Sequence, residues 1–419
     1  MIQLFKRVIN GLRGDKAIWA LITLLGLFSF MPVFSASANL SLVVKNGTVY
    51  SHFFKHSMHI AIGIGIVYLV SKFKYENIKY YVYLLLPVVV VLLLVALFNN
   101  TVIAGANASR WVIIPFVNLT FQPSALALVV SNMYIASYMS TYIQKDTPFN
   151  FKKSLLWLWL PVGICVILIL PANLSTAALL LSTNVLLIFL GGYPFKFLLK
   201  VGAMGVIALT LIFVLATQFP NKYTSRMSTW KARIERFTSD EDDKEIDNYQ
   251  TENSKIAIAT GGITGLGPGK SVQRNFLPQS SSDFIFAIIV EEFGLFGALM
   301  LMFTYISLFF RFLIVSSKVN NPLGKLLIYG LGFPIILQAF VNMGVAVQLF
   351  PTTGQSLPLI SSGGTSIWIT CAAIGVILSV SADVKKPTSI EVKENKKNKS
   401  DFEPTDNQVQ EAIKTVQQN

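Results

Sequence analysis

The chain has 419 residues, of which 53% are hydrophobic, 12% aromatic and only 13% charged. Soluble domains carry about 25% charged residues, so the composition excludes an ordinary soluble enzyme. Continuous apolar runs, in place of short alternating segments, also exclude an outer-membrane barrel. The formal net charge is +13, from 34 Lys and Arg against 21 Asp and Glu. In a soluble chain that balance suggests nucleic acid; here the placement of the charges matters more, and no nucleic-acid partner is expected.

The opening MIQLFKRVINGLRGDK (1–16) is basic and leads into a long apolar run, which reads as a cytoplasmic N-terminus and signal anchor. Apolar stretches follow at 17–35, 53–71, 80–98, 121–143, 154–170, 174–191, 198–217, 284–310, 326–350 and 366–382. At about 20 residues per span, these predict an all-α polytopic membrane protein of ten transmembrane helices. Twenty-two of the 34 basic residues fall on the side that holds the N-terminus, and three (Lys45, Lys55, Arg110) on the short opposite segments. The other nine sit in one long loop, too long to constrain orientation. The pattern predicts N-in/C-in topology, with a membrane domain over 17–382 and a large extracytoplasmic loop at 218–282. The tail, 383–419, is Lys-, Asn- and Glu-rich, with too few apolar residues for a core, which predicts a disordered cytoplasmic segment.

Polar features stand out against this background. His52, His56 and His59 fall at i, i+4 and i+7 near the outer end of the second span. That spacing suits metal ligands, but with no carboxylate or cysteine nearby they read better as interfacial histidines, and no metal is assigned. Arg110-Trp111 carries the only charge of its loop; such a pair is an interfacial anchor or a phosphate clamp. Cys165 and Cys371 lie in apolar runs and read as small hydrophobes, without a disulfide. In the long loop, Met227, Trp230, Ile234 and Phe237 recur at helical spacing with basic residues between, which predicts an amphipathic helix along the membrane.

GGITGLGPGKSVQ (261–273) is not a P-loop, because the position five before Gly269 is Thr264 where that motif needs glycine. Its glycines suit close backbone approach or re-entry. Lys270 and Arg274 fit two readings, phosphate ligands or snorkelling cations. Apart from those in turns, the long loop and the tail, only three carboxylates remain: Asp283, Glu291 and Glu292, all in DFIFAIIVEEFG. An interfacial carboxylate is a functional candidate. For Asp283 the competing role is a helix cap after SSS; for Glu291 and Glu292 the preferred role is structural, pairing with Arg or backbone.

Three segments together resemble one family. FQPS (121–124) after ASRW, QRNFLPQSSSDFIFAIIVEEFG (273–294), and QAFVNMGVAVQLFPTTGQSLPLISSGGTS (338–366) are similar, in order, to the SEDS family of FtsW- and RodA-type cell-wall polymerases. FSAS (34–37) favours the FtsW-like branch. The resemblance implies a peptidoglycan glycosyltransferase in the bacterial cytoplasmic membrane, at the division septum. It would polymerise lipid II on the outer side, with a class B penicillin-binding protein as transpeptidase partner and other divisome proteins nearby. It places the family's essential aspartate on Asp283, its Arg-Trp pair on Arg110 and Trp111, and its Pro-Thr-Thr-Gly and Ser-x-Gly-Gly loop on Pro351 to Gly354 and Ser361 to Gly364. The chain also departs from the family. Gln279 and Ala125 replace glutamates, Leu128 a lysine, and Asn173 an aspartate.

On this reading Asp283 is the general base for the acceptor hydroxyl. Arg110, Lys270 and Arg274 are the candidates for the pyrophosphate, and Trp111, Gln355, Ser361 and Ser362 contact substrate. A divalent cation could assist, although no ligand cluster points to one. Two other classes stay open: a lipid II flippase and a non-catalytic divisome scaffold, the second fed by the neutral replacements.

Overall fold

Long apolar runs have to satisfy their own backbone groups in lipid, and helices do so within one segment. In the computed structural model, helices cover each of the ten apolar stretches. It describes residues 11–43, 49–98, 102–103, 106–107, 111–114, 119–145, 147–218, 245–277 and 280–384. In chain order the helices are α1 (Lys16–Val43), α2 (Val49–Lys72), α3 (Ile78–Phe98), α4 (Pro123–Lys145), α5 (Phe151–Ile169), α6 (Leu174–Leu190) and α7 (Phe195–Gln218). Then come α8 (Glu245–Gly261), α9 (Ile285–Ser317), α10 (Pro322–Ala346) and α11 (Thr365–Asp383).

Among the described residues, eight helices (α1 to α5 and α9 to α11) are long and apolar enough to cross a membrane. The protein is therefore a multi-pass, all-helical membrane protein; α6 is apolar but shorter, at 17 residues. The amphipathic helix expected near 227–237 and the tail beyond residue 384 lie outside the described residues.

Two local features were not expected from sequence. Short antiparallel hairpins join α3 to α4: β1 (Val102–Ile103) with β2 (Ala106–Asn107), and β3 (Val112–Ile114) with β4 (Leu119–Phe121). The helix α8 starts within the acidic run of the long loop and packs on α9. It is weakly apolar, which is why hydropathy passes over it.

The core lies where α4, α10 and α11 meet; these are the most buried spans, and α2 and α3 the least. Helix α4 stays inside although it carries many polar residues, because they bond to its own carbonyls. Ser137 donates to Met133 O at 2.9 Å and Asn132 Nδ2 to Leu128 O at 2.8 Å.

The ends of the bundle are tied differently. At one end, Asp15 caps α1 by accepting from Ala17 N (2.9 Å) and Ile18 N (3.1 Å). It also accepts from Arg311 Nε (2.9 Å) and Nη2 (2.6 Å) of α9. Its own N–H donates to Ser381 Oγ of α11 at 2.9 Å, so the start of α1 and the end of α11 share one face.

Candidate active-site cavity and its supports

At the opposite end, the N-termini of α4, α6, α9 and α11 and the middle of α10 surround a cavity of about 220 Å³. It reaches from Gln338 down to Gly330 on α10, and from Ser362 to Ala373 along the start of α11. Eight residues of helix make that depth about 12 Å. Pro334 sits inside α10 on the cavity wall, at a position where proline removes a helical hydrogen bond.

The loop 351–364 forms the roof, and its side chains tie it to the elements around it. Asn342 Nδ2 donates to Asp283 O (2.8 Å) and Gln355 O (2.7 Å). Gln355 Nε2 donates to Thr176 Oγ1 at 2.7 Å. Ser361 Oγ donates to Ser282 O (2.6 Å) and accepts from Leu357 N (2.7 Å). Ser362 N donates to Ser281 O at 2.9 Å. The turn that carries Asp283 is thus fastened by two bonds to the roof and by one to Asn342 of α10.

Asp283, Trp111, Gln355, Ser361 and Ser362 all line this cavity, so residues far apart in sequence converge there. Asp283 is half-buried and is the one carboxylate among the described lining residues. The N-cap of α9 is Phe284, one residue later, so Asp283 does not occupy the cap position. Gln355 and Ser361 are buried with their polar groups already engaged in the roof, whereas Ser362 is exposed. Lys270 and Arg274 are not among the lining residues. Arg274 Nη1 instead donates to Gly269 O and Ser35 Oγ, both at 2.9 Å, while Lys270 is exposed. Arg110 lies outside the described residues.

Two of the departures from the family pattern, Ala125 and Leu128, also face this site and leave its α4 wall neutral. Asn173 caps α6, with Oδ1 accepting from Ser175 N (3.2 Å) and Thr176 N (3.3 Å). Sequence reasoning did not pick out Gln122, Thr176, Gln338 and Ser366, which add polar groups to the wall. Gln122, Gln338 and Ser366 fall inside the family-like motifs, which gave no role to these positions; Thr176 is a polar residue in an apolar run.

No group of three or more His, Cys, Asp or Glu side chains able to hold a metal ion occurs among the described residues. Asp283 is the one carboxylate among the described lining residues that a divalent cation could meet. The histidines pack inside the bundle: His56 Nε2 is 2.9 Å from Ser29 Oγ, and the His59 ring lies 5.2 Å from Trp368.

Glu291 and Glu292 are fully buried on α9, away from the cavity lining. Beyond them Gly294 (φ 66°, ψ −166°) breaks the helix. The broken ladder is repaired by the glycine-rich loop after α8: Leu266 N donates to Glu291 O and Gly267 N to Glu292 O, both at 2.9 Å, and Leu295 N donates to Gly262 O at 2.9 Å. Only glycine fits at such an approach, since a Cβ on Gly265 would lie 2.2 Å from Glu292 O and one on Gly294 would lie 2.3 Å from Ile263 O. The loop's glycines therefore serve a helix backbone and not a nucleotide. The two carboxylates are structural in their contacts: Glu291 accepts from Val272 N (2.9 Å), Gln273 N (3.1 Å) and Ser271 Oγ, and Glu292 from Ser35 Oγ.

Known proteins share this arrangement of helices. A solved chain of a peptidoglycan synthase complex that coordinates polymerization and crosslinking matches with a TM-score of 0.66 at 22% identity, covering 89% of this chain and 99% of that one. The rod shape determining protein RodA of Thermus thermophilus matches at 0.62 and 22%, covering 89% and 98%. Among curated sequences, the probable peptidoglycan glycosyltransferase FtsW of Bacillus subtilis is 31% identical over 412 residues, which is 95% of this chain and 96% of that protein. The protein of the same description from Coxiella burnetii is 29% identical over 381 residues, 88% and 96% of the two chains. The FtsW/RodA/SpoVE family, described as cell cycle protein, matches residues 15–386. With the family matched across the whole helical bundle and the curated relatives covered nearly end to end, this chain belongs to the FtsW/RodA/SpoVE family.

Proposed function

We propose that the protein is a peptidoglycan glycosyltransferase that polymerises lipid II on the outer side of the cytoplasmic membrane during division. The observation that carries this reading is the cavity, with Asp283 as its lining carboxylate, in a chain whose curated relatives are described as probable peptidoglycan glycosyltransferases. Asp283 takes the proton of the acceptor sugar's 4-hydroxyl. That oxygen attacks C1 of the donor sugar, the C1–O bond to the pyrophosphate breaks, and the configuration inverts.

The leaving pyrophosphate needs positive potential. Four helix N-termini at the cavity supply part of it, because helix dipoles favour anions at that end. Arg110 beside Trp111 is the cation proposed to complete the clamp. With Lys270 and Arg274 off the cavity wall, Arg274 takes the role of a support for Ser35 and Gly269, and Lys270 is given no part in this scheme. The tie between the start of α1 and the end of α11 supports an even number of crossings, as ten spans with N-in/C-in topology require. A class B penicillin-binding protein is the proposed partner, the septum the proposed site of action.

One observation favours a second reading. Ala125 and Leu128 leave the α4 wall without the ionisable pair of the family pattern, as expected of a non-catalytic divisome scaffold. The flippase reading gains nothing comparable, since the buried polar seam of Ser131, Asn132, Thr183 and Asn184 holds no ionisable group. The deciding experiment is glycan-strand formation from labelled lipid II by the purified protein with its transpeptidase partner, wild type against Asp283→Asn. Polymer from wild type alone is expected. No polymer from either, with the complex intact, would favour the scaffold.

A further inference from the structure

Glu291 is a fully buried carboxylate that the proposed reaction does not use, yet its bonds go to the segment that carries Asp283. Ser271 and Glu291 stand 20 positions apart, and between them run the turn at Gln273–Asn275, Asp283 and the first turns of α9. The Glu291 carboxylate accepts from the backbone N–H groups of Val272 and Gln273 and from the Ser271 hydroxyl. In doing so it satisfies donors at the start of the Gln273–Asn275 turn that have no partner within the turn itself. Ser271 Oγ in turn accepts from Arg274 N at 3.1 Å, so the entry to the segment is fixed from both sides.

From Phe284 to Glu292 every residue is buried, which makes this half of α9 a strut set in the core. One end of the strut carries Asp283, bonded through its backbone to Asn342. The other end carries Glu291, bonded to the base of the same loop. The Gly294 break then separates the strut from the rest of α9, so its aim depends on what holds its two ends. Glu292 is shared between the two: it accepts from Ser35 Oγ of α1 and, at a longer 3.4 Å, from Ser271 N at the base of the same loop. It thus ties the strut to the bundle, while Glu291 makes the closer set of bonds to the loop.

We propose that Glu291 is a positioning residue: it staples residues 271–273, at the entry to the segment that carries Asp283, to α9 and thereby sets where Asp283 stands in the cavity. This rests on the glycosyltransferase reading for its effect on rate, but not for its effect on the loop. Catalytic geometry is sensitive to displacements of about 1 Å, which a released loop of this length readily exceeds.

The test uses the full-length protein with its transpeptidase partner, and fluorescent lipid II as the probe. Glu291→Ala should lower kcat on the order of tenfold to a hundredfold with KM unchanged. Glu291→Gln, which keeps the acceptor for the two N–H groups, should recover most of the rate. Ser271→Ala should show a smaller loss in the same direction, and serves where Glu291→Ala does not fold. Amide hydrogen exchange is read alongside: residues 272–283 should exchange faster in Glu291→Ala, normally in Glu291→Gln, with α10 and α11 protected in both. Unchanged exchange in that loop overturns the staple whatever the polymerisation result. Faster exchange with an unchanged kcat per folded molecule overturns the positioning role. Absence of polymer from wild type is instead a failure of the activity reading, and the exchange data still judge the staple.

Discussion

The two ends of α9 carry carboxylate partners of opposite kinds. Arg311 lies near the C-terminal end, 26 residues after Ile285, and holds Asp15 in a two-bond grip. That spacing corresponds to roughly 40 Å of helix. Asp15 also accepts from two backbone N–H groups and is 9% exposed, so its oxygens are spent on the fold. Asp283, before the N-terminal end, is half-buried on the wall of the cavity of about 220 Å³. The contrast separates two uses of a charged group in an apolar protein. A carboxylate enclosed by donors fixes helices to one another, whereas one facing a cavity can meet a ligand. The same contrast recurs within ten residues of sequence, between Asp283 and the enclosed Glu291.

If that distinction holds, Asp283→Asn gives the largest loss of function and the smallest loss of stability. General-base removal predicts a drop in polymerisation of about 10²- to 10⁴-fold, with the thermal midpoint of the purified protein nearly unchanged. A variant that is inactive because it unfolds would break the comparison, by showing Asp283 to be structural as well.

Gly294→Ala comes next. The residue sits at positive φ, and its new Cβ would lie 2.3 Å from Ile263 O, against backbone that cannot step aside. Strain plus loss of the repaired ladder predicts a cost of about 3 kcal/mol or more, read as a lower thermal midpoint and poor recovery from the membrane. Normal stability would mean that the α8 loop is not needed to hold the break.

Asp15→Asn tests the other end. Losing the charge weakens two charge-assisted bonds to Arg311, at an expected cost of about 2 kcal/mol, while activity per folded molecule stays at the wild-type level. Burial pushes the Asp15 carboxyl up, but the hydrogen bond and charge of Arg311 and the Ile18 and Ala17 N–H groups outweigh it, and hold it below the ordinary aspartate value. A depressed folded value stabilises the protein above the unfolded value and loses that contribution as pH falls through the folded one. Wild type should therefore lose stability below the ordinary aspartate range more steeply than Asp15→Asn, in thermal melts against pH.

Hydropathy and charge placement located the long apolar helices among the described residues, because apolar runs bounded by Lys and Arg are long signals that local detail does not blur. Helix ends were less clear: α9 runs on to Ser317, past Arg311, because that guanidinium is neutralised by Asp15 rather than ending the span. Helix α8 stayed hidden, since its first half is polar and only the short stretch Ile256–Ala259 is apolar. The cavity members Asp283, Trp111, Gln355, Ser361 and Ser362 were named from short motifs. Sequence did not separate lining the wall from facing the ligand, and Gln355 turned out to be spent on Thr176. Lys270 and Arg274 were placed on the site by proximity in sequence alone. The sharp turn at the glycine loop takes them off the cavity wall.

The smallest expected effect concerns Asn173, one of the neutral replacements. If an ionised group were needed at this position, Asn173→Asp would raise activity. Its contacts are those of a helix cap, to Ser175 N and Thr176 N, and Thr176 passes the constraint on by accepting from Gln355 in the roof. Asn and Asp serve about equally well as caps, with differences of a few tenths of a kcal/mol. Asn173→Asp should therefore leave both thermal midpoint and polymerisation rate close to wild type, while Asn173→Ala should cost about 1 kcal/mol and loosen the roof. A clear gain in rate from Asn173→Asp would move this position from the enclosed class to the cavity-facing one, and would make the neutral replacements the limit on this protein's activity.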